Sequence, residues 1–367
     1  MLKNGLPLKR REPLTDSNLL LLIAGCIFVF LYVFAMIAFS REGFLTFQKF
    51  FDLFNNNAAL IILACGLSIV MVGGGIDISV GGVTAMITMA CAVYLDSGTG
   101  NVWGSLGMAL CIGLAFGLVQ GFLVAYLDIQ PFIITLAGMF FARGMATVIS
   151  GQSRTVAQAD FVNLVNTKLE ISFLGRYAKG NWIPLKIDLG MIVALVVVVV
   201  AVATLKWSRF GRNLYAVGGN RQSALMLGIN VKRTKFFSYL ICGLLAGIAG
   251  FVYLLKTGSG NASHAGGFEM KAIAASIMGG TMLTGGVGNI IGSPIGVMTL
   301  MTIESLVIAS GLTNGRSYMQ GITTGAMLGI ALLLQSIVLA RHNKGVSSEL
   351  ELPKWLKLKS DKKNSGR

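Results

Sequence analysis

Residues Val72 to Val83 read V-G-G-G-I-D-I-S-V-G-G-V, five glycines around a single acid, Asp77. The flanks decide what this stretch is. Ala58 to Val72 carries no charge, and neither does Val83 to Leu95. Each flank alone falls short of the ~20 apolar residues that a membrane-crossing helix needs. Together, Ala58 to Leu95 is long enough for two spans, with the glycines and Asp77 at the turn between them. A carboxylate there is expensive unless water, a cation or a donor network meets it, so Asp77 is a functional candidate. The alternative is a turn at the membrane surface with Asp77 capping the second helix.

The rest of the chain fits that setting. Of its 367 residues, 54% are hydrophobic and 12% charged, with a mean hydropathy of +0.74. Soluble domains are about 25% charged, so the class is an all-α polytopic membrane protein. Its 47 glycines suit close helix packing and broken helices. The net charge of +15 is concentrated: residues 1–18, 206–235 and 341–367 hold 19 of the 30 Lys and Arg and 5 of the 15 acids. That is the positive-inside pattern, and it excludes a nucleic-acid footprint in favour of orientation and contact with anionic lipid.

Leu19 to Phe39 is an uncharged run of 21 residues, too long for a signal-peptide core and read as an uncleaved first span. Ser40 to Asn57 is an amphipathic connector whose Asn55, Asn56 and Asn57 are expected to cap the next helix. After spans two and three, Gly104 to Leu127 forms a fourth, where Gly113, Gly117 and Gly121 repeat one small face suited to packing. Pro131 opens span five, which contains Arg143. A polar segment, 151–186, precedes span six at Leu189 to Leu205, and span seven is Phe236 to Leu255. A second glycine-broken field, Met270 to Ala309, includes Gly279 and Gly280 and divides into spans eight and nine. Tyr318 to Ala340 is a tenth span. About ten spans place both termini in the cytoplasm, with a transmembrane region of 19–340 between the basic N-terminus (1–18) and the basic tail (341–367). Loop 206–235, with seven basic residues and no acid, then also falls inside. Glycine-broken helices in each half are where transporters place substrate or gates.

The chemistry is sparse. No phosphate loop, metalloprotease helix or nucleophile elbow occurs, so no ATP hydrolysis and no enzyme activity is expected. The five cysteines lie in apolar segments without metal spacing, and the two histidines are isolated. Within the apolar fields the charges are Asp77, Arg143 and Glu304, with Glu269 and Lys271 at one edge. Asp77 and Glu304 would serve an ion-coupled carrier; alternatively Asp77 and Arg143 neutralise each other or cap helices. In the basic loop, Gln222 to Leu227 can form a short helix closed by Gly228, with Leu225 and Ile229 near one face. Such a helix suits docking into a groove on a soluble partner, or lying on lipid headgroups.

Four stretches in order resemble a known family. Gly74-Gly75-Ile76-Asp77-Ile78-Ser79-Val80-Gly81, Thr135 to Gly144, the pair Tyr215 to Asn220 and Leu227 to Asn230, and Glu269 to Thr281 are similar to motifs of the permease subunits of ribose-type ATP-binding-cassette sugar importers. Phe132 to Gly144 looks closest to the galactofuranose-type permeases. The resemblance implies a fold of about ten helices in the bacterial plasma (inner) membrane. It also implies a pair of permeases, identical or different, two cytoplasmic ATPases that hydrolyse ATP, and an extracytoplasmic sugar-binding protein. Asn220, Arg221, Ser223, Ala224, Leu225, Gly228 and Ile229 then match the ATPase-coupling element, and Gly74, Gly75, Asp77, Ser79, Gly81, Arg143, Glu269, Gly279 and Gly280 are candidates for pathway or hinge. Two positions depart: Lys271 stands where the family has an acid, and Gly82 where Ser is usual. Nucleoside or branched-chain amino acid permeases and an ion-coupled carrier are the alternatives.

Overall fold

The computed structural model describes residues 16–310 except 41–42 and 179–180, together with seven positions between 321 and 333. The expected tenth span, the basic tail and most of the basic N-terminus lie outside the described residues.

Helix α1 (Asp16–Ala38) leads to α2 (Phe47–Val72), α3 (Val80–Asp96), α4 (Val102–Tyr126) and α5 (Pro131–Ile149). Strand β1 (Arg154–Thr155), helix α6 (Ala159–Asn166) and a hairpin of β2 (Lys168–Ala178) and β3 (Asn181–Asp188) fill the polar segment. Then come α7 (Leu189–Trp207), α8 (Arg209–Gly219), α9 (Arg221–Met226), α10 (Val231–Thr257), β4 (Ser259–Gly260), α11 (Phe268–Met278) and α12 (Gly292–Ala309). The four strands form two antiparallel pairs, β1 with β4 and β2 with β3. The chain is otherwise helical, as the apolar runs require.

Seven described helices are long and apolar enough to cross a membrane: α1, α2, α4, α5, α7, α10 and α12. Helix α3 is apolar over 17 residues. The expectation of about ten crossings therefore needs correcting, and the eighth is the one that fails. Helix α11 has 11 residues, about 16 Å of rise against a ~30 Å hydrocarbon core. It starts part-way along the bundle because the Gly/Ser-rich link before it dips inward. A Cβ on Gly260 would meet the Thr88 carbonyl at 2.6 Å, while one on Gly81, two turns down α3, would meet the Ala265 carbonyl at 3.1 Å. The second apolar field is thus a half-helix, a turn and one span.

Helix α2 also departs from expectation. It begins at Phe47, capped by Thr46, and the asparagine run lies inside it instead of capping it. Asn57 leaves helical geometry and marks a kink. Asn55 is buried because β3 satisfies it: its amide donates to the Lys186 carbonyl at 3.0 Å and accepts from the Asp188 N–H at 3.0 Å.

Helices α2, α3, α4 and α10 make the centre. Helix α4 lies on α10 through the glycine face read in the sequence. A Cβ on Gly117 would sit 2.8 Å from the Tyr239 carbonyl, and one on Gly247 would sit 2.8 Å from that of Ala109. Only glycine permits that approach, and the contact area it opens replaces the hydrophobic drive that helices lack in lipid. By contrast α5 is peripheral, with only Thr135, Ala142 and Ala146 buried.

Candidate functional site

The first turn joins α2 to α3. Gly74 has φ +76°, a left-handed conformation that a side chain would strain. Gly75 is closed in by Tyr239: a Cβ there would lie 2.5 Å from the phenol oxygen, which donates to the Ile76 carbonyl at 3.2 Å. Asp77 is 3% exposed. Its Oδ1 accepts from the Ser79 N–H at 2.9 Å and the Ser79 hydroxyl at 2.6 Å. The Ser79 hydroxyl oxygen also lies 3.2 Å from Gln120 Oε1 on α4. The acid therefore holds the turn from within. Ser79, not Asp77, occupies the cap position of α3, with no side-chain capping bond.

The second turn, 279–291, packs directly on the first. The Gly286 N–H donates to the Val72 carbonyl at 2.9 Å, and Gly285 stands against Gly74. Gly279 meets Gly292 backbone to backbone, and Gly280, at φ +91°, lies under Leu20 of α1. The Ser68 and Ser293 hydroxyls share a 2.6 Å hydrogen bond, and Thr281 donates to Ser68 at 3.4 Å. Helix α8 seals the junction: Gly218 abuts the Val72 carbonyl, and the Tyr215 phenol donates to the Gly288 carbonyl at 2.8 Å. Burial pushes that phenol above its ordinary pKa.

Arg143 is some 12 residues into α5, about 18 Å from its start. Its guanidinium donates to the carbonyls of His264 and Ala265 at 3.1 Å each and of Ala262 at 3.4 Å, and stands 3.8 Å from Glu269. The expected alternative of mutual neutralisation with Asp77 is not what forms: Arg143 fastens the inward-dipping link and the start of α11. Glu269 is nearly buried, its Oε2 lies against Gly81, and that oxygen has no hydrogen bond among the described residues. Glu304, the other acid considered for ion coupling, pairs with Lys271 at 2.8 Å. The unusual lysine thus ties α11 to α12.

In the basic loop the expected short helix is α9. Asn220 caps it by accepting from the Ser223 N–H at 2.9 Å, and Gly228 ends it at φ +76°. The expected shared face of Leu225 and Ile229 does not form. Ala224 is buried with Val217 and Val231, Ile229 packs against that cluster, and Leu225 points outward, 50% exposed. Met226 and Leu227, which the sequence reading passed over, are 83% and 77% exposed. Arg221 is paired with Asp128 of the α4–α5 turn at 3.3 Å. Helix α8, capped by Ser208, was also missed; it buries Leu214 and Val217 and presents its charges outward.

A helical membrane chain with paired glycine-broken turns, and with a capped apolar helix on its basic loop, has the construction of a transport permease. The chain belongs to the family described as the branched-chain amino acid transport system / permease component, whose model matches residues 50–334. Among similar proteins, the fructose import permease protein FruG of Bifidobacterium longum is 34% identical over 322 residues, 87% of this chain and 91% of the relative. The inner membrane ABC transporter permease protein YjfF of Escherichia coli is 33% identical, covering 87% and 92%. The ribose import permease protein RbsC of the same species is 31% identical, covering 83% and 91%. No solved structure matches the chain.

Proposed function

We propose that this chain is the transmembrane permease subunit of an ATP-driven sugar importer in a bacterial plasma membrane, with loop 206–235 cytoplasmic. The observation that carries the reading is the row Leu225-Met226-Leu227, exposed on a short capped helix in a basic loop. Three neighbouring apolar side chains exposed on a basic loop make a patch that a groove on a soluble ATPase would bury. That the similar proteins are named as fructose and ribose import permeases supports a sugar as the solute.

Helix α5 is where we place the solute route. It has one packed side and one free side, and Gln120 opens onto a groove of about 380 Å³ between α4 and α5. A second permease against that free side would complete the route, and a binding protein at the opposite end from α9 would deliver sugar.

Reconstituted alone in liposomes, the chain is expected to move no sugar; with its ATPase and binding protein it is expected to import sugar on ATP addition. Flux without the ATPase sinks the reading. For the docking helix, Met226→Asp with Leu227→Asp should weaken ATPase co-purification by at least tenfold, since buried apolar anchors dominate such interfaces. Membrane insertion should be unchanged, and undiminished co-purification removes α9 from the interface.

A further inference from the structure

Three neighbouring cavities at the hairpin end of the bundle share walls and differ in polarity. The apolar one, about 590 Å³, lies between α4, α7 and α10 and is walled by Leu106, Leu110, Val193, Ile248 and Phe251. From Val102 to Leu110 it descends about 12 Å, most of one leaflet of a ~30 Å core. Trp103, 80% exposed, stands at its rim, the level that tryptophan favours in a membrane.

A narrow neck of about 110 Å³ continues from it, sharing Leu164, Leu189, Val252 and Leu255 with the apolar part. The same neck shares Asn55, Lys168, Asp188 and Lys256 with a polar chamber of about 430 Å³ under the β2–β3 hairpin. The polarity therefore changes across the three cavities in turn, from hydrocarbon-like to charged.

The charges of the chamber are unevenly matched. Lys168 and Lys256 both lean on one carboxylate, Asp188, at 3.5 and 3.2 Å, which leaves one positive charge over. Lys186 is balanced by Glu170 at 3.0 Å. Asp52, on the wall of the same chamber, forms no ion pair among the described residues and accepts from Gln48 at 2.7 Å. One surplus cation near the neck and one uncompensated carboxylate further in make a site for a ligand carrying both signs.

We propose that these cavities together form a binding site for a single glycerophospholipid with a primary-amine head, of the phosphatidylethanolamine class. Its acyl chain fills the slot between α4, α7 and α10. Its phosphate sits beside Lys168 and Lys256 at the neck, and its ammonium reaches Asp52. The lipid would brace the hairpin against the outer ends of α2, α7 and α10. The site does not depend on which solute the permease moves, nor on which leaflet the hairpin faces.

Native mass spectrometry of the purified chain, exchanged into detergent and titrated with dioleoyl phosphatidylethanolamine, tests this. One lipid should be retained, bound about tenfold more tightly than the phosphatidylcholine or phosphatidylglycerol of equal chain length, because each lacks the donor ammonium. Leu106→Trp should fill the slot and abolish retention. Asp52→Asn, a milder change at a half-buried surface site, should keep one bound lipid while erasing the preference among headgroups. Lys256→Gln should weaken retention by about fivefold. Equal binding of the three lipids to the unaltered chain, unchanged retention in Leu106→Trp, or a headgroup preference that survives Asp52→Asn, overturns the proposal.

Discussion

The two glycine-broken turns touch, yet they are held by different means. The first has a carboxylate at its centre: Asp77 gathers the Ser79 N–H and hydroxyl, and Tyr239 reaches in to the Ile76 carbonyl. The second, 279–291, has no charged residue. It closes on itself through the Met282 N–H to the Val287 carbonyl at 3.0 Å, and onto the first through the Gly286 N–H to the Val72 carbonyl. The two share close backbone approach and differ in chemistry. Close approach is therefore the common requirement, and the acid is one of two ways to meet it. This ranks the variants: those that push the turns apart should cost most, and one that only discharges Asp77 should cost least.

Gly286→Val should have the largest effect. Gly286 has φ +73°, and a Cβ would collide with the Gly219 backbone. The conformation alone costs about 1–3 kcal/mol for a side-chain-bearing residue, and backbone cannot move aside as a flexible side chain would. Little folded protein is expected in membranes, read by size-exclusion of the solubilised chain. Wild-type yield and transport from Gly286→Val would break the comparison at its centre.

Gly75→Ala should come next, and its obstacle is removable. The new Cβ meets the Tyr239 phenol oxygen at 2.5 Å and Val70 at 3.0 Å. We expect thermal stability to fall by about 2 kcal/mol, as overpacking does. Tyr239→Phe alone should cost about 1 kcal/mol for the hydrogen bond to Ile76. Combined, the two should cost less than their sum, because the deleted hydroxyl leaves room for the methyl. Strict additivity in that double-mutant cycle would show that Tyr239 does not close the turn.

What could be read from the sequence was whatever is decided locally. The uncharged run at Leu19 to Phe39 gave α1, Pro131 gave the start of α5, and Gly228 gave the end of α9. The misses had distant causes. Asn55 looked like a cap because its partners, the Lys186 and Asp188 backbone, lie some 130 residues away. Arg143 found carbonyls about 120 residues on, in a link whose inward dip also shortens α11. Leu225 and Ile229 parted because Gly228 turns the chain between them. For the site, glycine spacing marked both turns, but only the fold puts them in contact.

Asp77→Asn should have the smallest effect, and it separates two accounts of the first turn. If the carboxylate serves as a hydrogen-bond acceptor that shapes the turn, asparagine keeps an oxygen for the Ser79 N–H and hydroxyl. The loss is then the charge-assisted part of those bonds, about 1 kcal/mol, and transport should persist at a reduced rate with its pH profile unchanged. If the carboxylate instead carries a proton or sodium ion through the cycle, the variant should lose transport or acquire a new pH dependence while remaining folded. Measuring initial uptake from pH 5 to 9 in reconstituted liposomes, beside Gly75→Ala as a variant that disturbs shape without charge, distinguishes them. A flat ratio of Asp77→Asn to wild type across that range leaves the acid as part of the hinge, and the second turn, which has no acid at all, is the precedent within the same molecule for why that suffices.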